Sequence, residues 1–162
     1  MYEFAADPAA SKPERYAALE EAARAIVAGE PDGVANMANL AALIWQFVPD
    51  LNWAGFYRVI GPELVLGPFI GRPACIRIAI GQGVCGAAAA SGETQLVPDV
   101  HAFPGHIACD AASRSELVVP VKGADGRVIA VIDLDSPVPA RFDEQDSEGI
   151  AKIAAIAATC LG

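Results

Sequence analysis

The residues that invite chemistry first are the four cysteines, at positions 75, 85, 109 and 160. A thiolate is the reactive form, and reactivity requires a lowered pKa and access. Cys109 lies in HIACDAASRSE, inside a stretch from Pro98 to Ser113 with no clear periodicity. An irregular segment of that length in a compact domain is usually functional, because scaffolded loops carry reactive groups. Arg114, His106 or a nearby helix start would activate Cys109; the competing reading is a small apolar filler beside Ile107 and Ala108. Cys85 lies in GQGVCG, in the first turn of an expected helix, where the helix terminus lowers a thiol pKa; otherwise it is a core cysteine packed through Val84. Cys75 lies in PACIRI at the start of an expected strand, on the face of Arg77. Taken alone it is a buried strand residue. Cys160 shares an apolar helical face with Ile150, Ile153 and Ala157, and reads as core or as a helix-end thiol.

A second constellation is acidic. In VIDLDSP, strand alternation puts Val131, Asp133 and Asp135 on one face and Ala130, Ile132 and Leu134 on the other. Carboxylates at i and i+2 lie about 7 Å apart. Such a pair repels itself and calls for a cation. Glu116, in SELVVPV, opens the strand expected to pair with this one across a turn, so three acids converge near one sheet edge. A ligand ammonium or a metal ion would satisfy them; strand-end acids facing water, or a turn-capping Asp before Pro137, are the plainer alternatives. Trp53 and Tyr57 share a strand face and either wall an apolar pocket with a polar tip or are simply core. Zinc is the weaker use of the thiols. Structural sites favour close pairs, whereas nine and twenty-three residues separate the first three cysteines, with only His101 and His106 to complete a mixed site.

These residues need a scaffold, and the pattern supplies one. Lys12 to Gly29 and Val34 to Phe47 read as helices, from apolar residues at helical spacing. From Asn52 to Ile60 the period changes to two, marking a strand. Glu63 to Leu66 reads as its hairpin partner, and Ala74 to Ile80 as a further strand. Gly83 to Ser91 reads as a short helix and Thr94 to Val97 as a strand. Ser115 to Val121 and Val128 to Leu134 flank the hairpin turn Gly123 to Gly126. A closing helix runs from Phe142 to Cys160, with Asp143 as N-cap. The order predicts an α+β fold: about six mainly antiparallel strands packed against N- and C-terminal helices. One domain is expected over 1–162, with helices at about 12–48, sheet and active-site loops at about 52–135, and the last helix at about 142–160.

Composition narrows the class. Among 162 residues, 54% are hydrophobic and 19% charged, which excludes a disordered chain. The net charge of −9 argues against a nucleic-acid partner and against anionic membranes. The start MYEFAADPAASKPERY lacks a basic end followed by an apolar run, so a cytoplasmic location is expected.

NWAGFYRV, LGPFIGRPACIRI, GQGVCG, HIACDAASRSELVVPV and VIDLDSP, in that order, resemble the free methionine-(R)-sulfoxide reductases, which are GAF-fold proteins. The resemblance runs from about Asn36 to the final helix, and the cysteine triplet within these motifs is its specific part. It implies a substrate, free L-methionine-(R)-sulfoxide, and a mechanism. Cys109 would attack the sulfoxide sulfur and become a sulfenic acid. Cys75 or Cys85 would condense with it to a disulfide, and thioredoxin would reduce that disulfide. Glu116, Asp133 and Asp135 would hold the ammonium of the free amino acid, and one of the three, with Glu116 as the candidate, would protonate the leaving oxygen. Trp53 and Tyr57 would pack around the methyl group, and the segment from Pro98 to Ser113 would cover the pocket. No cofactor and no metal are implied, and a homodimer is suggested, with the apolar N-terminal helices as an interface. The alternative is a non-catalytic GAF module that binds a small ligand and signals.

Overall fold

The computed structural model describes residues 4–105 and 110–161. Two helices come first, α1 (Lys12–Val27) and α2 (Gly33–Phe47). Strands β1 (Trp53–Ile60), β2 (Glu63–Gly71) and β3 (Arg77–Ala79) follow. Then come α3 (Gly83–Ser91), β4 (Gln95–Val97), β5 (Ser115–Lys122), β6 (Val128–Ser136) and α4 (Glu144–Ala158). The strands form one sheet in the order β3-β2-β1-β6-β5-β4, and every neighbouring pair is antiparallel. The expected α+β class with helices against an antiparallel sheet is what the chain adopts.

The helix ends follow from local chemistry. Glu14 accepts from the backbone N–H and the hydroxyl of Ser11, closing the start of α1. Asp32 accepts from the Ala35 N–H at 2.8 Å and starts α2. Asp143 accepts from the Gln145 and Asp146 N–H groups, as its N-cap reading requires. Asp146 answers by accepting from the Asp143 N–H at 2.9 Å.

The sheet separates two cores by strand alternation. Ala54 and Phe56 of β1, Leu117, Val119 and Val121 of β5, and Ala130, Ile132 and Leu134 of β6 face α2 and α4, with α1 packed outside them. Trp53, Tyr57, Val118 and Val131 face the other way, where α3 covers them with Val84, Cys85 and Ala88. The first core is the larger and fixes the sheet. The second is interrupted by polar groups, and the candidate site lies there.

Several boundaries differ from expectation, most by one or two residues. β2 continues to Gly71 rather than stopping at Leu66, because its pairing with β1 absorbs Gly67-Pro68 in a bulge opposite Phe56. A side chain at Gly67 would bring Cβ to 2.9 Å of the Phe56 carbonyl oxygen, so only glycine allows this approach. β3 is shorter than the expected strand from Ala74 to Ile80, and Cys75 lies in the connection before it, not on a strand face with Arg77. α1 ends at Val27, two residues before Gly29. The described parts of the segment from Pro98 to Ser113, residues 98–105 and 110–113, are irregular apart from a 3-10 turn, Val100–Ala102, started by Asp99.

Candidate functional site

β6 lies between β1 and β5, and its register decides which side chains meet. Asp133 sits opposite Gly55 of β1 and Val118 of β5; Asp135 sits opposite Trp53 and Glu116. Adjacent strands are about 4.8 Å apart, so Glu116, Asp133 and Asp135 share one face at one end of the sheet. Glu116 and Asp133 are only 7% and 6% exposed. Three carboxyl groups in so little solvent cannot all ionise.

Their proton affinities follow. Burial, and then repulsion from Asp133 and Asp135, raises the Glu116 pKa well above the ordinary range. Burial and the Asp133 charge do the same to Asp135, opposed by a hydrogen bond from Ser113. Burial raises Asp133 to about 6, while hydrogen bonds from Cys85 and Glu116 hold it down. Asp133 is thus the acceptor at the centre and Glu116 the group that keeps its proton. One Asp133 oxygen, Oδ1, is buried without a partner. A buried carboxylate oxygen left open is costly, and a ligand that brings a donor and a positive charge recovers that cost.

Cys85 meets the acids from α3. Its sulfur, a Glu116 oxygen and an Asp133 oxygen all lie within 4.8 Å of one another. Such a sulfur and carboxylate set is also one that a thiophilic cation could take. The helix terminus does not activate this thiol. Cys85 is free and buried, and desolvation followed by repulsion from Asp133 and Glu116 pushes its pKa well up. Of the two sequence readings the helix-lowered thiol is corrected and the core cysteine beside Val84 stands: burial first, and then the neighbouring acids, outweigh the partial charge of a short helix.

The aromatic wall stands opposite. Trp53 and Tyr57 stack at 5.8 Å between ring centroids, and Phe69 of β2 stacks on the other side of Trp53 at 5.2 Å. Gly55 lies between the two β1 aromatics. A Cβ there would come within 2.4 Å of Phe69 Cβ and 2.8 Å of the Trp53 ring, so the stack depends on this glycine. Each aromatic also uses its polar tip. Trp53 Nε1 donates to the Arg72 carbonyl at 3.2 Å, and the Tyr57 hydroxyl donates to the Cys75 carbonyl at 3.0 Å. Burial raises the Tyr57 pKa, so the phenol stays protonated and can donate. The wall therefore positions the connection that carries Cys75. Cys75 is disulfide-bonded.

A pocket joins these parts. It is lined by the aromatics Trp53 and Tyr57, by Arg72 to Ala74, by Ile78 and the start of α3 from Gln82 to Cys85, and by Asp110, Ser113 and the three acids. Of the residues expected to carry chemistry, Trp53, Tyr57, Cys85, Glu116, Asp133 and Asp135 line it, and Cys75 is tethered beside it. Cys109 and His106 lie outside the described residues. His101 pairs with Asp99 on the 3-10 turn and does not line the pocket. Cys160 follows the end of α4, half-buried and free, and its sulfur donates to the Ala157 carbonyl at 3.4 Å, as a helix-end thiol would. Sequence patterning missed Phe69, Asn52, Ser113 and Arg72. Phe69 is hidden by Gly67-Pro68, which reads as a strand end; Asn52 and Ser113 act through hydrogen bonds that no periodicity signals.

Comparison with known proteins decides the family. The GAF domain model matches residues 19–161. The Escherichia coli protein named free methionine-R-sulfoxide reductase is 47% identical over 145 residues, covering 90% of this chain and 87% of that protein. This chain belongs to the GAF-domain free methionine-R-sulfoxide reductase family. The Neisseria meningitidis free methionine-R-sulfoxide reductase, solved in complex with its substrate, superposes on this family member with a TM-score of 0.94 at 44% identity, over 99% of this chain and 96% of that one. A GAF sensor protein from Burkholderia vietnamiensis is 58% identical with a TM-score of 0.90, covering 93% of this chain and 96% of that one. Among the described residues, no helix of this reductase-family chain is long and apolar enough to cross a membrane.

Proposed function

We propose that this protein reduces free L-methionine-(R)-sulfoxide to methionine. The observation that carries the reading is the buried acid cluster with an unpartnered Asp133 Oδ1, facing an aromatic wall across a small pocket. A free amino acid supplies the ammonium that Asp133 and Asp135 demand. A methionine within a polypeptide has a neutral amide there and would leave the acids unpaired, at a cost of several kcal/mol. Trp53 and Tyr57 offer apolar surface to the S-methyl group.

Cys109 is the proposed nucleophile. Its thiolate attacks the sulfoxide sulfur and forms a sulfur–sulfur bond to the substrate; the sulfoxide oxygen is protonated and its bond to sulfur breaks. That oxygen, as water, adds to the Cys109 sulfur while the sulfur–sulfur bond breaks with its electron pair going to methionine, so that methionine leaves, a proton is released and Cys109 remains as sulfenic acid. Glu116, whose burial keeps it protonated, is the proposed proton donor. Cys75 then attacks the Cys109 sulfur and expels water, leaving a disulfide. Two features support Cys75 over Cys85 as this second thiol. Cys75 is disulfide-bonded, whereas Cys85 is free and its thiol is held protonated by burial and by the acids. A thioredoxin dithiol returns both cysteines to thiols by exchange. The rest of the family reading, a cytoplasmic single-domain homodimer, stands as part of the proposal.

Methionine release with dithiothreitol as reductant tests the reading. Free methionine-(R)-sulfoxide is expected to be reduced and its N-acetyl form to be a poor substrate. Binding of the free sulfoxide without any release of methionine would instead identify a ligand-sensing module.

A further inference from the structure

The proposed reaction gives Cys85 no step, yet its sulfur lies against two of the buried acids. The three residues come from three elements: Cys85 from the first turn of α3, Glu116 from β5 and Asp133 from β6. Their ligand atoms, one sulfur and two carboxylate oxygens, all lie within 4.8 Å of one another. A tetrahedral zinc site, with sulfur at about 2.3 Å and oxygen at about 2.1 Å, holds such atoms about 3.5 Å apart. Small side-chain rotations therefore close the set around an ion. A second observation points to a ligand independently. Asp133 is only 6% exposed, lines the pocket, and has its Oδ1 buried without a hydrogen-bond partner. An ammonium satisfies such an oxygen but makes no use of a sulfur.

Donor chemistry selects the cation. Magnesium and calcium seek oxygen alone, whereas a thiolate favours ions of the zinc class. One sulfur with two carboxylates suits Zn2+, and Cd2+ as its softer analogue. We infer that Cys85, Glu116 and Asp133 form a binding site for a zinc-class divalent cation, and that the bound ion excludes the amino acid from the pocket. The exclusion rests on the proposed free amino-acid substrate; the site itself does not. Cys85 gives its thiol proton to solvent, because a coordinating thiol is deprotonated outright, and Glu116 does the same with its own, so three anionic ligands meet a double positive charge. The fourth position opens to the pocket that Trp53 and Tyr57 line, and is left for water. An ion there occupies the Asp133 carboxylate that the ammonium needs and removes the proton that Glu116 would give to the substrate oxygen. It is an inhibitor's site, not a cofactor's. Cys75 is disulfide-bonded and cannot ligate, and Cys160 does not line the pocket.

The test uses the disulfide form without thiol reductant and Cd2+ as the probe, read by its thiolate charge-transfer absorbance and by equilibrium dialysis. The natural protein and Cys160→Ser are expected to show the band and to bind one ion per chain. Cys85→Ser should lose the band. Asp133→Asn and Glu116→Gln should bind at least about tenfold more weakly, since even a group that only orients a ligand is worth about that much in metal affinity. Zn2+ should displace the probe and Mg2+ should not. No band in the natural protein, a band that survives in Cys85→Ser or vanishes in Cys160→Ser, or unchanged affinity in both carboxyl variants would overturn the site. Free methionine-(R)-sulfoxide is expected to expel the ion. Glycine at the same concentration chelates the metal through the same two groups but lacks a side chain for the aromatic wall, and should not. If the sulfoxide is turned over but leaves the band untouched, the exclusion is wrong. A Cys85-dependent band in a protein that never turns the sulfoxide over would sink the reductase reading and leave the site standing. Should Cys85→Ser fail to fold, Cys85→Ala and the carboxyl variants decide.

Discussion

At the scale of residues, the site turns on carboxyl groups that are forced to differ. Asp133 is the acceptor at the centre and Glu116 keeps a proton, although both are buried acids on neighbouring strands. Asp133→Asn keeps the shape and removes the charge. It is expected to raise KM for the free sulfoxide roughly 10- to 100-fold, the worth of one hydrogen bond to a charged group, with little loss of thermal stability. Unaltered steady-state kinetics in this variant would remove the ammonium-binding role. The cysteines make a second residue-level prediction. Cys75→Ser should abolish thioredoxin-coupled turnover, while Cys85→Ser should retain it and Cys160→Ser should leave it intact. Loss of coupled turnover in Cys85→Ser, with Cys75→Ser active, would reverse the assignment of the second thiol. The positions of these residues were legible in the sequence: alternation placed Asp133 and Asp135 with Val131, and apart from Ile132 and Leu134, as the two cores of the sheet require. The state of Cys85 was not legible. Its environment is set by Glu116 and Asp133, which are distant in sequence, and no local rule sums those charges.

At the scale of elements, glycines set how closely the aromatic wall and the helices approach. Gly55 sits between Trp53 and Tyr57, and Gly149 of α4 sits beneath Tyr16 of α1. A Cβ at Gly149 would fall 2.2 Å from the Tyr16 ring, whose hydroxyl donates to Asp146 at 2.8 Å. Overpacking of a well-filled core costs about 1–3 kcal/mol. Gly149→Ala is therefore expected to lower Tm by several degrees, at about 2–4 °C per kcal/mol, and to leave KM for the free sulfoxide near that of the natural protein. A Tm equal to that of the natural protein would show that α1 yields without cost. Elements with strong periodicity or a capping residue were readable in advance: α2, α3, β5, β6 and the Asp143 start of α4. The extension of β2 to Gly71 was not, because Gly67-Pro68 reads as a stop and becomes a bulge only through its pairing with β1. The missing Phe69 of the aromatic wall follows from the same misreading.

At the scale of the whole molecule, the acid cluster makes folding depend on pH in a direction opposite to that of ordinary surface acids. Asp133 is raised to about 6, and Glu116 and Asp135 are raised well above their usual values. A folded state that holds protons the unfolded chain has lost is destabilised as pH rises. The ligand-free protein is thus expected to have its higher Tm near pH 5 and a lower one near pH 7. Asp143 works the other way: its pKa is lowered to about 2, first by Lys12, so its contribution is present above the ordinary aspartate range and is lost as pH falls toward 2. The two effects occupy separate pH ranges. A Tm that rises between pH 5 and pH 7 without ligand would contradict the picture of a strained, cation-seeking cluster. Binding of the free sulfoxide should raise Tm more at pH 7 than at pH 5, because the cation is worth most where the acids are charged.

The most direct measurement is NADPH consumption in the presence of thioredoxin and thioredoxin reductase, comparing free L-methionine-(R)-sulfoxide, its S epimer and the N-acetylated R form. Turnover of the free R form alone is predicted, since it combines the required sulfur configuration with the ammonium that the buried acids demand. Absence of turnover with all three in a reduced, folded sample, or equal turnover of the N-acetylated form, would contradict the account.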